Sequence, residues 1–222
     1  MTYEEAEEYL NNWKSPIPKH TKLRYEECYA KYVLERFLPQ YFSNLELSDK
    51  PDLRNEALGV GVEVTSMSNE NRQKAIGLSV DIVHGRIRDK ERAISEIKKC
   101  GSNYTEYGTG HHQPTASISD IENKYCDKIE KLNSPGWKVF PKNYLYADVD
   151  FFPYKWYLEQ IEQRLSLIND NYSVSFDILV LVYGNYICQI DFSESTISVN
   201  QYDNKDFTIC SVEARLLVEK NN

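Results

Sequence analysis

Residues 176–184 read FDILVLVYG, an apolar run unbroken from Ile178 to Val182. A strand with one wet face alternates apolar and polar residues. This run does not alternate, so it predicts a central strand with both faces covered. The rest of the chain supplies the covering layers. Residues 21–38, TKLRYEECYAKYVLERFL, predict a helix with an inward stripe of Tyr25, Tyr29, Tyr32, Val33 and Phe37, flanked by Ala30, Leu34 and Leu38. Thr21 is placed to cap it and Pro39 to stop it. Residues 3–12 predict a short acidic helix, and two prolines mark the loop after it.

Residues 51–54 and 58–66 read as a strand hairpin turning at NEA. A helical stretch follows over 69–100, and the Gly-, Ser- and Thr-rich residues 101–115 read as a mobile loop. Residues 117–132 predict a helix with Ser117 as a cap, 143–152 a strand and 154–169 an amphipathic helix. YICQIDFS and TISVNQ read as further strands before DFTICSVEARLLVEK closes the chain. Helix, hairpin, helices, strand, helix and strands in that order predict one α/β domain around a mixed sheet, its core spanning about 21–192.

Hydrophobic residues make up 41% and charged residues 27% of the 222, enough apolar material for a core. There is no run of 18 apolar residues, so no membrane partner is expected. The acidic start, MTYEEAEEYL, is unlike a secretory signal. Five cysteines without a Cys-x-x-Cys pair suit reduced thiols, and together these features predict a cytoplasmic protein. The net charge of −8 weighs against broad nucleic-acid affinity. It is unevenly spread, however. Residues 68–99 carry eight basic against five acidic groups, whereas 143–222 carry five against twelve. A positive groove inside an acidic protein is therefore compatible with this composition.

The stretch PDLRNEALGVGVEVTSM, residues 51–67, carries the chemistry. Alternation puts Leu58, Val60, Val62 and Val64 on a core face. Gly59, Gly61, Glu63 and Thr65 fall on the other. Two glycines in a strand imply a close approach to its backbone. A carboxylate beside them must be solvated, paired or metal-bound. Asp52 can approach Glu63 across the hairpin, and a divalent cation would relieve the repulsion between them. Oxygen donors of this kind suit Mg²⁺ or Mn²⁺. The Val64 carbonyl is a further candidate ligand, and Glu27, or Glu26, from the first long helix could complete the set. His111 and His112 are adjacent in the glycine-rich loop and lack a metal-ligand spacing.

This arrangement resembles the PD-(D/E)xK nuclease superfamily, the restriction-endonuclease-like fold. The matching residues are Pro51-Asp52 and Glu63-Val64-Thr65, after a Glu-bearing helix. The resemblance implies a metal-dependent phosphodiester hydrolase acting on nucleic acid, DNA before RNA, and for a duplex substrate a homodimer. In the family a lysine, where Thr65 stands here, helps orient and activate the attacking water. Some members supply it from a neighbouring helix. Lys128 and then Lys124 are the candidates on the 117–132 helix, because Lys128 borders its stripe of Ile118, Ile121, Tyr125, Ile129 and Leu132. Gln73 and Lys74 are further options. Two rivals stand beside this expectation: an inactive protein on the same fold that binds nucleic acid or protein, and a hydrolase of small phosphoesters.

Overall fold

A computed structural model describes residues 1–12, 17, 21–105, 108–111 and 115–222. The helices are α1 (Tyr3–Asn12), α2 (Tyr25–Phe37), α3 (Glu70–Val83), α4 (Lys90–Lys99), α5 (Ile118–Leu132), α6 (Lys155–Asn169) and α7 (Asn204–Lys220). The strands are β1 (Glu46–Leu47), β2 (Leu53–Asn55), β3 (Val60–Ser66), β4 (Ser102–Thr105), β5 (Gly108–His111), β6 (Lys142–Asp148), β7 (Ile178–Tyr183), β8 (Tyr186–Asp191) and β9 (Thr196–Gln201). Among the described residues, seven strands form one mixed sheet in the order β1-β2-β3-β6-β7-β8-β9. Its centre, β3-β6-β7, is parallel, and the strands outside it pair antiparallel.

Helices cover both faces. On one, Val60, Val62, Val64, Tyr144, Tyr146, Val180 and Val182 pack under α2 and α7. On the other, Leu145, Ala147, Leu179 and Leu181 pack under α5 and α6. The apolar run of β7 contributes to both cores, which is why it does not alternate. The mixed sheet flanked by helices, with extra helices and C-terminal strands, is as the sequence predicts.

Several local expectations need correcting. Thr21 does not cap α2; that helix starts after Arg24 with no side-chain cap, and Thr21 Oγ1 donates to the Leu23 carbonyl instead. The hairpin strands begin two residues later than expected, at Leu53 and Val60, because residues 56–59 form the turn and Gly59 takes φ +65°. The helical stretch 69–100 breaks into α3 and α4 around Gly85, also at φ +65°. The expected mobile loop contains the antiparallel β4-β5 pair. This pair is stabilised by tertiary packing, since Tyr104 joins a satellite core with Ala75, Ile82, Ala93, Ile97 and Cys100. His111 closes β5, and His112 lies outside the described residues. The strand expected over 143–152 ends at Asp148.

The closing segment is the largest omission. It forms α7, which buries Phe207, Ile209, Cys210, Val212, Ala214 and Val218, and so carries the packed interior beyond residue 192. Among the described residues no helix is long and apolar enough to cross a membrane. All five cysteines are free thiols.

Gly61 is one of the glycines on the Glu63 side of β3, and the close approach is made by the protein itself. A Cβ there would lie 2.7 Å from the Phe140 ring and 2.9 Å from Pro51. Gly77, exposed on α3, has nothing within 4 Å of the same position. Gly61→Ala is therefore expected to cost about 1–3 kcal/mol by overpacking, and Gly77→Ala to gain about 0.5–1 kcal/mol in helix propensity. Urea denaturation of the two variants checks both signs.

Candidate functional site

The parallel strands β3 and β6 end side by side, with Ser66 in register with Asp148. The carboxyl ends of parallel strands are where an α/β sheet leaves a crevice. Here the crevice is a cleft of about 370 Å³. Val64, Thr65, Ser66 and Asp148 form its floor. Arg24, Glu26 and Glu27 at the start of α2 form one wall, and Lys124, Asp127, Lys128 and Lys131 of α5 the other.

Three local features aim these side chains. Asp52 lies in the bend just before β2, and its Oδ2 accepts the Val64 N–H at 2.7 Å. The carboxylate thus continues the hairpin ladder where the strand backbone has stopped. Glu63 points away from the valine face, towards α5, and its side chain is only 6% exposed. Helix α5 is fixed at its start by a capping box: Ser117 Oγ accepts the Asp120 N–H, and the Asp120 carboxylate accepts the Ser117 N–H. Asp150 adds a clamp, taking the Ala116 N–H at 2.9 Å and the Asn69 N–H at 3.0 Å. Buried Ile121, Tyr125, Ile129 and Leu132 then seat the helix on the sheet.

With α5 so placed, Lys128 Nζ lies 2.5 Å from Glu63 Oε1 and 2.9 Å from the Val64 carbonyl. One ammonium therefore answers two carboxyls, the buried Glu63 and the half-buried Asp52. Burial, and then the charge of Asp52, push Glu63 up to about 7 against the pull of Lys128. Burial also raises Asp52, against the Val64 N–H and Lys128. Glu63 Oε2 is buried and takes no hydrogen bond from an N–H group among the described residues, while a hydrogen bond between the two carboxyls helps to hold Asp52 down.

The expected residues are thus partly assembled. Asp52, Glu63, Val64 and Lys128 meet directly. Glu27 lines the cleft, is held by Arg24 at 3.3 Å, and is raised by burial and then by Asp52. Glu26 and Thr65 line the cleft without joining the cluster's hydrogen bonds. Lys124 turns to Glu70 at 2.7 Å and Lys74 to Glu96 at 3.1 Å, so neither serves Glu63. Gln73 Nε2 donates to Ser66 Oγ at the rim.

Among the described residues no group of three or more His, Cys, Asp or Glu side chains is arranged to hold a metal ion. Two carboxylates and a carbonyl nevertheless match the donor chemistry of Mg²⁺, which keeps several of its waters. The second Glu63 oxygen leaves acceptor capacity that Lys128 does not use.

Sequence reasoning overlooked Asp148. Burial pushes its carboxyl up to about 6, while the Tyr146 hydroxyl donates to it at 3.1 Å. Its signal was available: it is the first charged residue after the apolar YLYA of β6, where that strand leaves the core. Arg24 and Lys131, which add positive charge to the walls, gave no comparable signal. Against family models, curated proteins and solved structures, the chain finds no match.

The raised Glu63 has a consequence for stability. It keeps its proton to about pH 7 when folded and loses it near pH 4–5 when unfolded. Between those values the folded state binds more protons, so this contribution to stability is present at the acidic end and lost as pH rises through 7. Melting temperatures of wild type and Glu63→Gln, compared from about pH 5 to about pH 8, are expected to shift progressively in favour of the variant. A pH-independent difference contradicts the assignment.

Proposed function

We propose that this chain is a restriction-endonuclease-like, Mg²⁺- or Mn²⁺-dependent nuclease that hydrolyses phosphodiester bonds, with DNA favoured over RNA as substrate. The observation that carries the reading is the lysine of α5 reaching Glu63 and the Val64 carbonyl, with Asp52 beside them. A helix thereby supplies the amine that Thr65 does not.

In this reading Asp52, Glu63 and the Val64 carbonyl hold the ion, with Glu27 near enough to Asp52 to raise its charge cost and to serve as an outer ligand. The ion, when bound, supplies a water of lowered pKa and charge stabilisation at the phosphate. Lys128 contributes a positive charge at the edge of the same cleft. Lys131, Lys124 and Arg24 on the walls favour an anionic substrate over the local carboxylates. The basic excess of residues 68–99 lies on α3, α4 and the segment between them, and supplies positive charge outside the cleft lining. Thr65 is a neutral hydrogen-bonding group on the floor.

A second reading rests on a specific observation. A cluster lacking a third aligned acidic or histidine ligand, and carrying Thr65 in place of lysine, suits a non-catalytic module that binds nucleic acid or protein on the same fold.

Incubation with supercoiled plasmid and Mg²⁺ or Mn²⁺ separates the two. Wild type is expected to nick or linearise the plasmid. Asp52→Asn, Glu63→Gln and Lys128→Ala are each expected to lose about 10²–10³-fold in rate, the usual loss when one charge-stabilising group is removed. Cleavage that survives in both carboxylate variants removes this site from the reaction. Plasmid retention without cleavage by the wild type favours the binding module.

A further inference from the structure

The contacts of Lys128 carry an inference that rests on the metal reading of this site and goes beyond it. Its ammonium makes two contacts, to Glu63 Oε1 at 2.5 Å and to the Val64 carbonyl at 2.9 Å. Both oxygens are donors that a bound ion would need. Asp52, the third donor, has one carboxylate oxygen engaged by the Val64 N–H at 2.7 Å. Glu63 Oε2, buried on a side chain 6% exposed, takes no hydrogen bond from an N–H group among the described residues and faces Asp52. One ammonium thus answers half of one carboxylate and none of the other by direct contact.

We propose that Lys128 is the resident counter-ion of the cation position, and that it and a divalent metal exclude one another there, so that metal loading releases the lysine into the cleft. Two cations at hydrogen-bond separation from the same oxygens repel, and the Val64 carbonyl cannot serve both in the same direction. A divalent ion neutralises both carboxylates, which a single ammonium cannot. Lysine suits the exchange: its charge sits on a flexible four-carbon stem and holds no fixed fork geometry. It also has somewhere to go. Lys128 itself lines the 370 Å³ cleft, where Glu26, Asp127 and Asp148 offer acceptors and where a phosphate would lie.

Release therefore couples two events. The chain carries its own cation while metal is absent, which keeps the buried Glu63 beside Asp52 from standing unanswered. When metal binds, the freed amine moves to the side of the cleft that a substrate phosphate would occupy. Lys128 acts on the metal by competition, and so as a positioning residue for ion loading.

Direct Mn²⁺ titration of the full chain without nucleic acid, by calorimetry and by the loss of the free-ion electron spin resonance signal, tests the exchange. Wild type, Lys128→Met, Lys128→Gln and Asp52→Asn are compared at neutral pH. Both lysine variants are expected to bind Mn²⁺ about tenfold more tightly than wild type, equivalent to about 1.4 kcal/mol. Metal-free Lys128→Met is expected to melt below wild type and to recover more of its melting temperature on Mn²⁺ addition. Lys128→Gln, which keeps a donor for the Val64 carbonyl, guards against a fold lost with the methionine. Wild-type binding that depends on Asp52, with no gain in either lysine variant, overturns the exchange and leaves the metal site standing. Absence of Asp52-dependent binding in every variant overturns both.

Discussion

Burying Glu63 is the constraint around which the rest of the structure is arranged. A carboxylate in the middle of a central parallel strand, with its side chain 6% exposed, carries a desolvation cost that water cannot remove. The fold answers with a cation delivered from another element. Removing one partner of such a pair costs about 3–5 kcal/mol, because the other is left charged and buried. The pair is therefore a requirement on the placement of α5. That placement depends in turn on the capping box at Ser117, the Asp150 clamp and the apolar stripe from Ile121 to Leu132. Asp150 also takes the first N–H of the α3 turn, so the insertion and α5 are indexed to the same carboxylate.

The second carboxylate changes the meaning of the first. Had Glu63 stood alone with Lys128, the pair would be closed and electrically balanced. Asp52 breaks that balance. It is itself needed by the fold, since its Oδ2 takes the Val64 N–H that β2 does not reach. The hairpin edge thus forces a carboxyl next to Glu63, and its charge raises the cost of ionising Glu63. An arrangement with two acids and one base is a costly way to build a core, and perturbed carboxyls of this kind gather at functional clefts.

How far this was legible in the sequence depends on whether the cause was local. The run ILVLV gives a doubly covered strand because burial leaves no room for polar alternation. The Glu63 face of β3 was readable for the same reason, with period two dividing the valines from the glutamate. Lys128 was readable from α5 because a helix fixes which residues border its stripe. Asp52 was placed on a strand and sits before one, yet it still comes next to Glu63, because a side chain can continue a ladder. What was not legible is tertiary in origin. The β4-β5 pair is held by packing of Tyr104 on α3 and α4, and its glycine-rich sequence carries no strand pattern. Helix α7 mixes Thr208, Ile209, Val212 and Val218 with charged residues, so its helical period is masked until α2 offers it a surface. Gly61 signalled a close approach correctly, but not that Phe140 and Pro51 make it.

The position of the amine on a helix decides what holds the site together. A lysine at position 65 would stand two residues from Glu63 on the same strand, and their relation would be fixed by the pleat alone. With Thr65 there, the amine arrives across a packed interface, 65 residues away in sequence. Its distance from Glu63 then depends on Ile121, Tyr125 and Ile129 remaining seated against Leu145, Ala147 and Leu179. Such a site is only as precise as the core beneath it. It also gains a freedom that a strand lysine lacks, because a stem rooted on a helix wall can leave the carboxylates without disturbing the sheet. The floor of the cleft at Thr65 is therefore neutral, and the charge that answers Glu63 stands on the α5 wall.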